Sequence, residues 1–183
     1  RFYTDLPGDA RVDVARESLD IYAPLANRLG IWQLKWELED LSFRFIEPET
    51  YKRIAKMLDE RRVEREQFIQ DAIERLRAEL AAVGIKAEIT GRAKHIYSIY
   101  NKMRKKRLDF SQVFDIRALR VLVDEVKDCY TVLGFVHQIW QPIAKEFDDY
   151  ITKPKGNNYQ SLHTAVLAGD GRALEVQIRT HDM

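Results

Sequence analysis

The chain has 183 residues, with 30 lysines and arginines against 29 aspartates and glutamates. This near balance excludes a polycation that binds DNA or a membrane through its overall charge, so an electrostatic function must come from a local cluster. A single cysteine, Cys129, excludes an internal disulfide, and no apolar run approaches the ~20 residues of a membrane-spanning helix. We therefore expect one or two cytoplasmic domains with no membrane partner.

The first half of the chain predicts helices. Apolar spacing over 9–29 predicts one helix, which Pro24 bends or breaks and Gly30 ends. A second helix is expected over 34–45, and a further helical region, as one helix or two, over 49–83. This half contains no catalytic constellation, and most of its charges are interpreted as solvated surface.

The second half of the chain alternates strands with helices. Helical spacing predicts a helix within 91–107 and another over 127–139, and alternating or β-branched residues predict strands between them. The strands are expected over 85–89, 113–124, 147–151, 160–167 and 173–180, the last two joined by a hairpin at 168–171. Helices followed by interleaved strands indicate a mixed sheet with a helical extension.

The segment 91–107 holds seven basic residues and no acid. In a helix its apolar residues form one stripe, which leaves Lys94, Ser98 and Lys102 on the opposite side. Arg92 and Lys94 lie at the turn from strand to helix, where a helix N-terminus favours phosphate. We predict a polyphosphate site here, and a solvated basic face is the alternative.

Two carboxylates occupy polar positions on predicted strands. Asp115 begins the strongest strand, where Arg117 is expected on the same face; pairing with Arg117 or capping of a turn is its alternative role. On the last strand Glu175, Gln177 and Arg179 share one side, which predicts half-burial or simply a solvent-exposed face. If the two strands are adjacent, Asp115 and Glu175 converge and supply hard oxygen ligands for a Mg²⁺–nucleotide site.

The loop 146–163 combines cations with an aromatic ring. Lys153 and Lys155 lie in a turn-rich sequence just before Tyr159, a pattern that suits phosphate contacts and base stacking. An ordinary basic surface turn is the alternative. His163 has no other His or Cys close to it in the sequence, so a hydrogen-bonding or phosphate-contacting role is favoured over metal binding.

Four segments resemble the synthetase domain of the RelA/SpoT-type (p)ppGpp synthetases, also called GTP pyrophosphokinases. They agree with that family in order and spacing, and they are 91–102 (GRAKHIYSIYNK), 114–120 (FDIRALR), 157–163 (NNYQSLH) and 175–180 (EVQIRT). The resemblance implies an α/β (α+β) fold of the nucleotidyltransferase-like, or polymerase-beta-like, type: a mixed sheet with flanking helices and an N-terminal helical extension. It also implies a helical linker over 1–48, following a hydrolase-type domain that is missing here, and a C-terminally truncated synthetase domain over 49–183.

The resemblance implies transfer of the β,γ-pyrophosphate of ATP to the 3′-hydroxyl of GDP or GTP, which makes ppGpp or pppGpp and AMP for the stringent response. Asp115 and Glu175 would hold Mg²⁺, and Glu175 would also accept the hydroxyl proton. The residues that match the ATP site are Arg92, Lys94, Ser98 and Lys102. The residues that match the GDP or GTP site are Lys155, Asn157, Tyr159, His163, Gln177 and Arg179. Arg120 is left without a role, because strict alternation places it on the opposite face from Asp115.

Two departures from the family pattern matter. Asn158 precedes the tyrosine where the family often has glycine, and asparagine tolerates a left-handed backbone. The acidic run 146–149 resembles that of synthesis-only, RelA-like members, which favours a RelA-like parent. Ribosome and tRNA contacts are expected only through parts of that parent missing here, and the four histidines lack the spacing of the family's hydrolase site.

Two other functions stay open on the residues alone. The same fold could transfer a nucleotidyl group to RNA or a small molecule, which releases pyrophosphate instead of AMP from ATP. A non-catalytic nucleotide- or RNA-binding module would explain the cations of 91–107. In such a module, however, Asp115 and Glu175 would repel a nucleic-acid backbone unless a metal intervened.

Overall fold

The computed structural model describes residues 7–92, 94–109 and 117–183. The chain divides into two compact units, Arg1–Glu60 with Lys94–Phe114 and Arg61–Ala93 with Asp115–Met183. The predicted domain boundary after residue 48 stays a prediction. No helix in the three described ranges combines the length and the apolar character needed to cross a membrane.

The helices account for the first unit and for part of the second. In chain order they are α1 (Gly8–Glu17), a π-helical segment (Ser18–Tyr22), α2 (Ala23–Arg28), α3 (Trp32–Ile46), α4 (Pro48–Glu60), α5 (Arg62–Ala82), α6 (Ile96–Lys106) and α7 (Val126–Ile139). The predicted helical region over 49–83 therefore forms two helices. They separate at Arg61, whose φ of −105° and ψ of 10° leave the helical range.

The predicted helix over 9–29 changes type just before Pro24. In the π-helical segment the backbone N–H of Ala23 donates to the carbonyl of Ser18, five residues back. Pro24 then lies in the first turn of α2, directly after the π-helical segment, and prolines and π-helical turns are the usual places where a helix bends. Gly30 ends the helix with a φ of +76°, a left-handed conformation that glycine adopts without strain.

The second unit is built on a five-stranded mixed sheet. The strands are β1 (Ala87–Gly91), β2 (Arg117–Val123), β3 (Gln141–Asp149), β4 (Leu162–Leu167) and β5 (Ala173–Thr180). Their order is β1-β2-β5-β4-β3, in which β2 and β5 are parallel and every other pair is antiparallel. The sheet is therefore mixed, as predicted. The short hairpin makes β4 and β5 antiparallel, whereas the long connection from β2 to β5 allows these two strands to be parallel.

One face of this sheet is apolar and the other is polar. α5 and α7 pack on the apolar face, to which β5 contributes the fully buried Leu174 and Ile178. The opposite face of β5 carries Glu175, Gln177 and Arg179, as the alternation predicted. We call this second surface the polar face of the sheet.

Several predicted strand boundaries move in the structure. β1 ends at Gly91 instead of 89, and β4 begins at Leu162 instead of 160. The predicted strand at 147–151 is wrong at both ends, because β3 runs from Gln141 to Asp149. β3 is an exposed edge strand with a bulge between Pro142 and Phe147. Because most of its side chains are exposed, its sequence lacks the alternation of apolar and polar residues from which a strand is predicted.

Candidate active site

A cavity of about 110 Å³ opens on the polar face of the sheet. Its polar and charged lining residues are Arg92, Glu146, Asp148, His163, Thr164, Glu175 and Gln177. Strand register brings them together: His163 of β4 lies opposite Gln177 of β5, and Asp148 of β3 lies opposite His163. Residues predicted from three separate motifs therefore meet in one cavity.

Glu175 is flanked by two small side chains on the floor of the cavity. Its neighbours across the two adjacent strands are Ala118 of β2 and Ala165 of β4, which are only 3% and 7% exposed. Directly opposed residues in a sheet have the closest side chains, so two alanines leave space on both sides of the carboxylate. The backbone N–H of Arg92 donates to the carbonyl of Ala118 at 2.8 Å, which fixes the arginine at the same end of the sheet.

The predicted partner of Glu175 lies outside the described residues. Asp115 falls in the segment before β2, so its convergence with Glu175 stays a prediction. Arg117 lies on the apolar face of the sheet, where its guanidinium stacks on Phe68 at 3.5 Å from the ring centroid. Two expectations, that Asp115 shares a face with Arg117 and that Asp115 meets Glu175, therefore cannot both hold.

The three acidic side chains of residues 146–149 have two different roles. Glu146 and Asp148 line the cavity. The Asp149 carboxylate instead accepts hydrogen bonds from the backbone N–H groups of Ile151 and Thr152, the Thr152 hydroxyl and the Tyr130 hydroxyl. Burial alone would raise the pKa of Asp149, but these donors, Thr152 first among them, hold it below its ordinary value. Asp149 therefore holds the turn after β3.

A connected set of side chains lies beside Glu175, and we call it the Gln177 network. The Gln177 amide, on a residue only 4% exposed, donates to the hydroxyl of Tyr159. That hydroxyl is 2.9 Å from Nε2 of His163, and the Arg120 Nε donates to Oε1 of Gln177 at 3.2 Å. Arg120 is opposite Gln177 in the β2–β5 register and so lies on the polar face. Sequence reasoning missed this because it counted alternation from Asp115.

The turn before Tyr159 is held by its own backbone and by an asparagine side chain. Asn158 has a φ of 61°, which confirms the expected left-handed backbone at this position. Its N–H donates to the Lys155 carbonyl at 2.8 Å, and the Lys155 N–H donates to the Tyr159 carbonyl at 3.1 Å. The Asn157 side-chain oxygen accepts the N–H of Tyr159 at 3.2 Å, so Asn157 holds the turn in this structure.

Cations surround the aromatic side chains next to this turn. Lys155 Nζ is 4.4 Å from the ring centroid of Tyr150 and 5.3 Å from that of Tyr159. The Cζ atom of the Arg179 guanidinium is 5.6 Å from the ring centroid of Tyr159. Burial, with a contribution from the nearby Arg120 charge, lowers the pKa of Arg179 from its ordinary value. Positive charge is therefore concentrated around an aromatic ring, an arrangement suited to a nucleotide base and its phosphates.

The basic helix predicted within 91–107 is α6, in the first unit. Ile99 is buried, Ser98 is exposed, and Lys94 and Lys102 are half-buried. The Asp40 carboxylate of α3 accepts the N–H groups of Ile96 at 3.3 Å and Tyr97 at 2.9 Å.

The contact with Asp40 occupies part of the helix N-terminus, where a phosphate site is predicted. Its first two amides already bind the Asp40 carboxylate, so they are not available to a phosphate in this conformation. A phosphate site on α6 would depend on the side chains of Lys94, Ser98 and Lys102, and their assignment to ATP stays a prediction. The residue pair that makes this contact, Asp40 and Ile96, is separated by 56 positions, which no local sequence pattern reveals.

Oxygen ligands for a divalent cation are present in the cavity. Glu146, Asp148 and Glu175 supply carboxylates of the kind that Mg²⁺ prefers, so the residues fit a metal–nucleotide site. Within the described ranges no three His, Cys, Asp or Glu side chains are already arranged to hold a metal ion. Phosphate oxygens and water would have to complete the coordination of a bound ion, as is usual for Mg²⁺.

Known proteins agree with this fold and this set of motifs. A family model described as a region found in RelA / SpoT proteins matches residues 91–183, and an HD domain model matches residues 1–32. A GTP pyrophosphokinase of Escherichia coli strain K12 is 55% identical over 179 residues, which are 98% of this chain and 24% of that protein. The chain thus spans about a quarter of the length of the curated relatives that it matches.

Solved structures confirm the expected nucleotidyltransferase-like fold. Small alarmone synthetase 1 from Bacillus subtilis, bound to its product pppGpp, aligns with a TM-score of 0.52 and 23% identity over 69% of this chain and 74% of that chain. A GTP pyrophosphokinase family protein from Streptococcus pneumoniae aligns with a TM-score of 0.51 and 25% identity, over 70% of each chain. Because the RelA / SpoT family model matches half of its length and a GTP pyrophosphokinase is 55% identical to it, the chain belongs to the RelA/SpoT family.

Proposed function

We propose that this chain carries the pyrophosphokinase centre of a (p)ppGpp synthetase. The reaction is transfer of the β,γ-pyrophosphate of ATP to the 3′-hydroxyl of GDP or GTP. The observation that carries the proposal is the cavity in which Glu175 lies over an alanine floor beside Arg92 and the Gln177 network. The relatives also support the proposal, because similar proteins are named GTP pyrophosphokinase.

In the proposed reaction Glu175 accepts the proton of the acceptor hydroxyl. The bond from the 3′-oxygen to the β-phosphorus of ATP forms, and the bond between that phosphorus and the α,β-bridging oxygen breaks, releasing AMP. Such a transfer depends mainly on positioning and on offsetting phosphate charge. Mg²⁺, held by Glu175 and Asp115, would neutralise part of that charge when bound.

The nucleotides are the partners that the family motifs assign. For GDP or GTP, Tyr159 would stack on the guanine base while Lys155 and Arg179 offset phosphate charge. Asn157, His163 and Gln177 would complete that site, and the ATP assignments are Arg92, Lys94, Ser98 and Lys102. We propose a cytoplasmic location, with ribosome and tRNA contacts made by other parts of a longer protein.

A charge-neutral substitution at Glu175 tests this proposal. Glu175→Gln keeps the size of the side chain but cannot accept a proton, so ppGpp formation from ATP, GDP and Mg²⁺ should fall about 10²-fold or more. Glu88→Gln is the matched control, because Glu88 is an exposed residue on the same polar face, on β1. It should leave the rate unchanged. Synthesis by Glu175→Gln at the rate of the Glu88→Gln protein would contradict the role of Glu175.

A further inference from the structure

The basic helix α6 receives the cap of its N-terminus from another helix. His95 precedes α6, and its side chain makes no capping hydrogen bond. The Asp40 carboxylate of α3 takes that place: Oδ1 accepts the N–H of Tyr97 at 2.9 Å, and Oδ2 accepts that of Ile96 at 3.3 Å. The first amides of a helix have no partner within the helix, and a carboxylate there is also stabilised by the helix dipole. Asp40 therefore fixes the first turn of α6.

Asp40 belongs to one stripe of α3 that contacts α6. Trp36, Asp40 and Phe43 are spaced at i, i+4 and i+7, so they share a face of α3. The ring of Trp36 stacks on that of His95, with centroids 4.9 Å apart. The ring of Phe43, a residue only 1% exposed, has its centroid 4.5 Å from that of Tyr100. Aromatic contacts on both sides of the carboxylate therefore set the rotation of α6 against α3.

The face by which α6 packs on α3 decides where its polar side chains lie. At 3.6 residues per turn, Ser98 and Lys102 are each about 160° around the helix from Tyr100. Tyr100 contacts α3, so these two polar residues are on the opposite side, and Ser98 is exposed. Lys94 lies next to the stacked His95. The placement of all three residues assigned to ATP on this segment thus depends on how α3 holds α6.

We propose that Asp40 is a positioning residue for ATP. By capping α6 it holds Lys94, Ser98 and Lys102 in the arrangement that binds the phosphates. Asp40 does not itself bind the nucleotide, because its carboxylate is occupied by the amides of α6 and would repel a phosphate. The role of the three phosphate ligands rests on the proposed function, whereas the cap is a property of the protein alone. The helical extension thereby takes part in substrate binding.

Hydrogen exchange of single amides, followed by NMR on the full chain without nucleotide, tests the cap. In Asp40→Ala the amides of Ile96 and Tyr97 should exchange about tenfold faster or more, because their acceptor is lost. Asp40→Asn keeps one acceptor oxygen and should give intermediate rates. Unchanged exchange in α1, which belongs to the same unit, separates loss of the cap from unfolding. Native rates at Ile96 and Tyr97 in both variants would overturn the proposal.

Nucleotide binding provides a readout that a merely structural role would not move. The Kd for ATP, measured with Mg²⁺ and no acceptor, should rise about tenfold in Asp40→Ala and less in Asp40→Asn, while the Kd for GDP changes by less than about twofold. The KM for ATP should rise with its Kd, and kcat at saturating ATP should stay within about twofold of the native value. Asp13→Ala, the same chemical change at an exposed position of α1, should alter none of these constants.

Three binding results would overturn the proposal. Tighter ATP binding by Asp40→Ala would mean that the carboxylate competes with a phosphate for the helix N-terminus. Equal losses for ATP and GDP would mean a general loss of structure, and an unchanged Kd for ATP would mean that the cap does not position the phosphate ligands. Failure of the native chain to bind ATP would overturn the proposed function as well, and the exchange rates would still identify Asp40 as the cap.

Discussion

The pairing of Arg117 with Asp170 should contribute measurably to the stability of the second unit. The Arg117 Nη2 donates to Oδ2 of Asp170 at 2.6 Å, and the arginine is only 4% exposed. Its Nη1 is buried and, among the described residues, has no hydrogen-bond partner. Asp170→Ala would therefore leave a buried guanidinium with its stacking on Phe68 but without its counter-charge.

The cost of Asp170→Ala follows from this burial. Removing one partner of a fully buried ion pair costs about 3–5 kcal/mol, but Asp170 is itself 41% exposed, so we expect about 2 kcal/mol. If the chain of 183 residues unfolds cooperatively, a loss of about 2 kcal/mol lowers the Tm by about 4–8 °C. Chemical and thermal unfolding followed by circular dichroism measures both, and Asp182→Ala, at an exposed residue near the end of the chain, is the control.

The pH dependence of the difference in stability between the native protein and Asp170→Ala gives an independent check. Partial burial would raise the pKa of Asp170, but the hydrogen bond from Arg117 and the backbone N–H of Arg172 lower it overall. A lowered carboxyl pKa adds stability that is complete above the unfolded value of about 4 and is lost as the pH falls through the folded value. The gap between the native protein and Asp170→Ala should thus be constant near pH 7 and shrink in acid. A gap below about 0.5 kcal/mol, or one that grows in acid, would refute the reasoning.

Two further predictions concern the packing of the sheet and the turn after β3. A Cβ at Gly91 would lie 3.0 Å from Cγ2 of Ile69, so Gly91→Ala should lower the free energy of unfolding in urea by about 1–3 kcal/mol. Gly134→Ala, in open space on α7, should instead raise it by about 0.5–1 kcal/mol. Equal effects of the two substitutions would contradict this packing. Asp149→Ala removes an acceptor of four hydrogen bonds, so limited trypsin digestion should cut the 150–159 segment several times faster, and unchanged cleavage would show that Asp149 does not hold the turn.

Much of β5 could be predicted from the sequence alone. The strict alternation of apolar residues with Glu175, Gln177 and Arg179 identified both its bounds, 173–180, and its two faces. This worked because β5 is buried on one side and lies between two strands, so every position is constrained by a neighbour. The hairpin before it was predictable for a similar local reason, since Gly171 has the left-handed φ of 77° that its turn requires.

Other parts of the site depend on contacts that no local pattern contains. The role of Arg120 becomes visible only through the β2–β5 register, which places it opposite Gln177. The Asp40 carboxylate that binds the first amides of α6 comes from a separate helix. β3 carries Glu146 and Asp148 into the cavity, yet as an exposed edge strand it has no apolar alternation to reveal its start.

The fate of labelled ATP tests the central claim most directly. The protein is incubated with Mg²⁺, GDP and ATP labelled either at the α- or at the γ-phosphate. Pyrophosphoryl transfer predicts that the γ label appears in ppGpp and the α label in AMP, with both signals lost together in Glu175→Gln. Release of the γ label as free pyrophosphate, with the α label attached to an acceptor, would instead show nucleotidyl transfer and contradict the account.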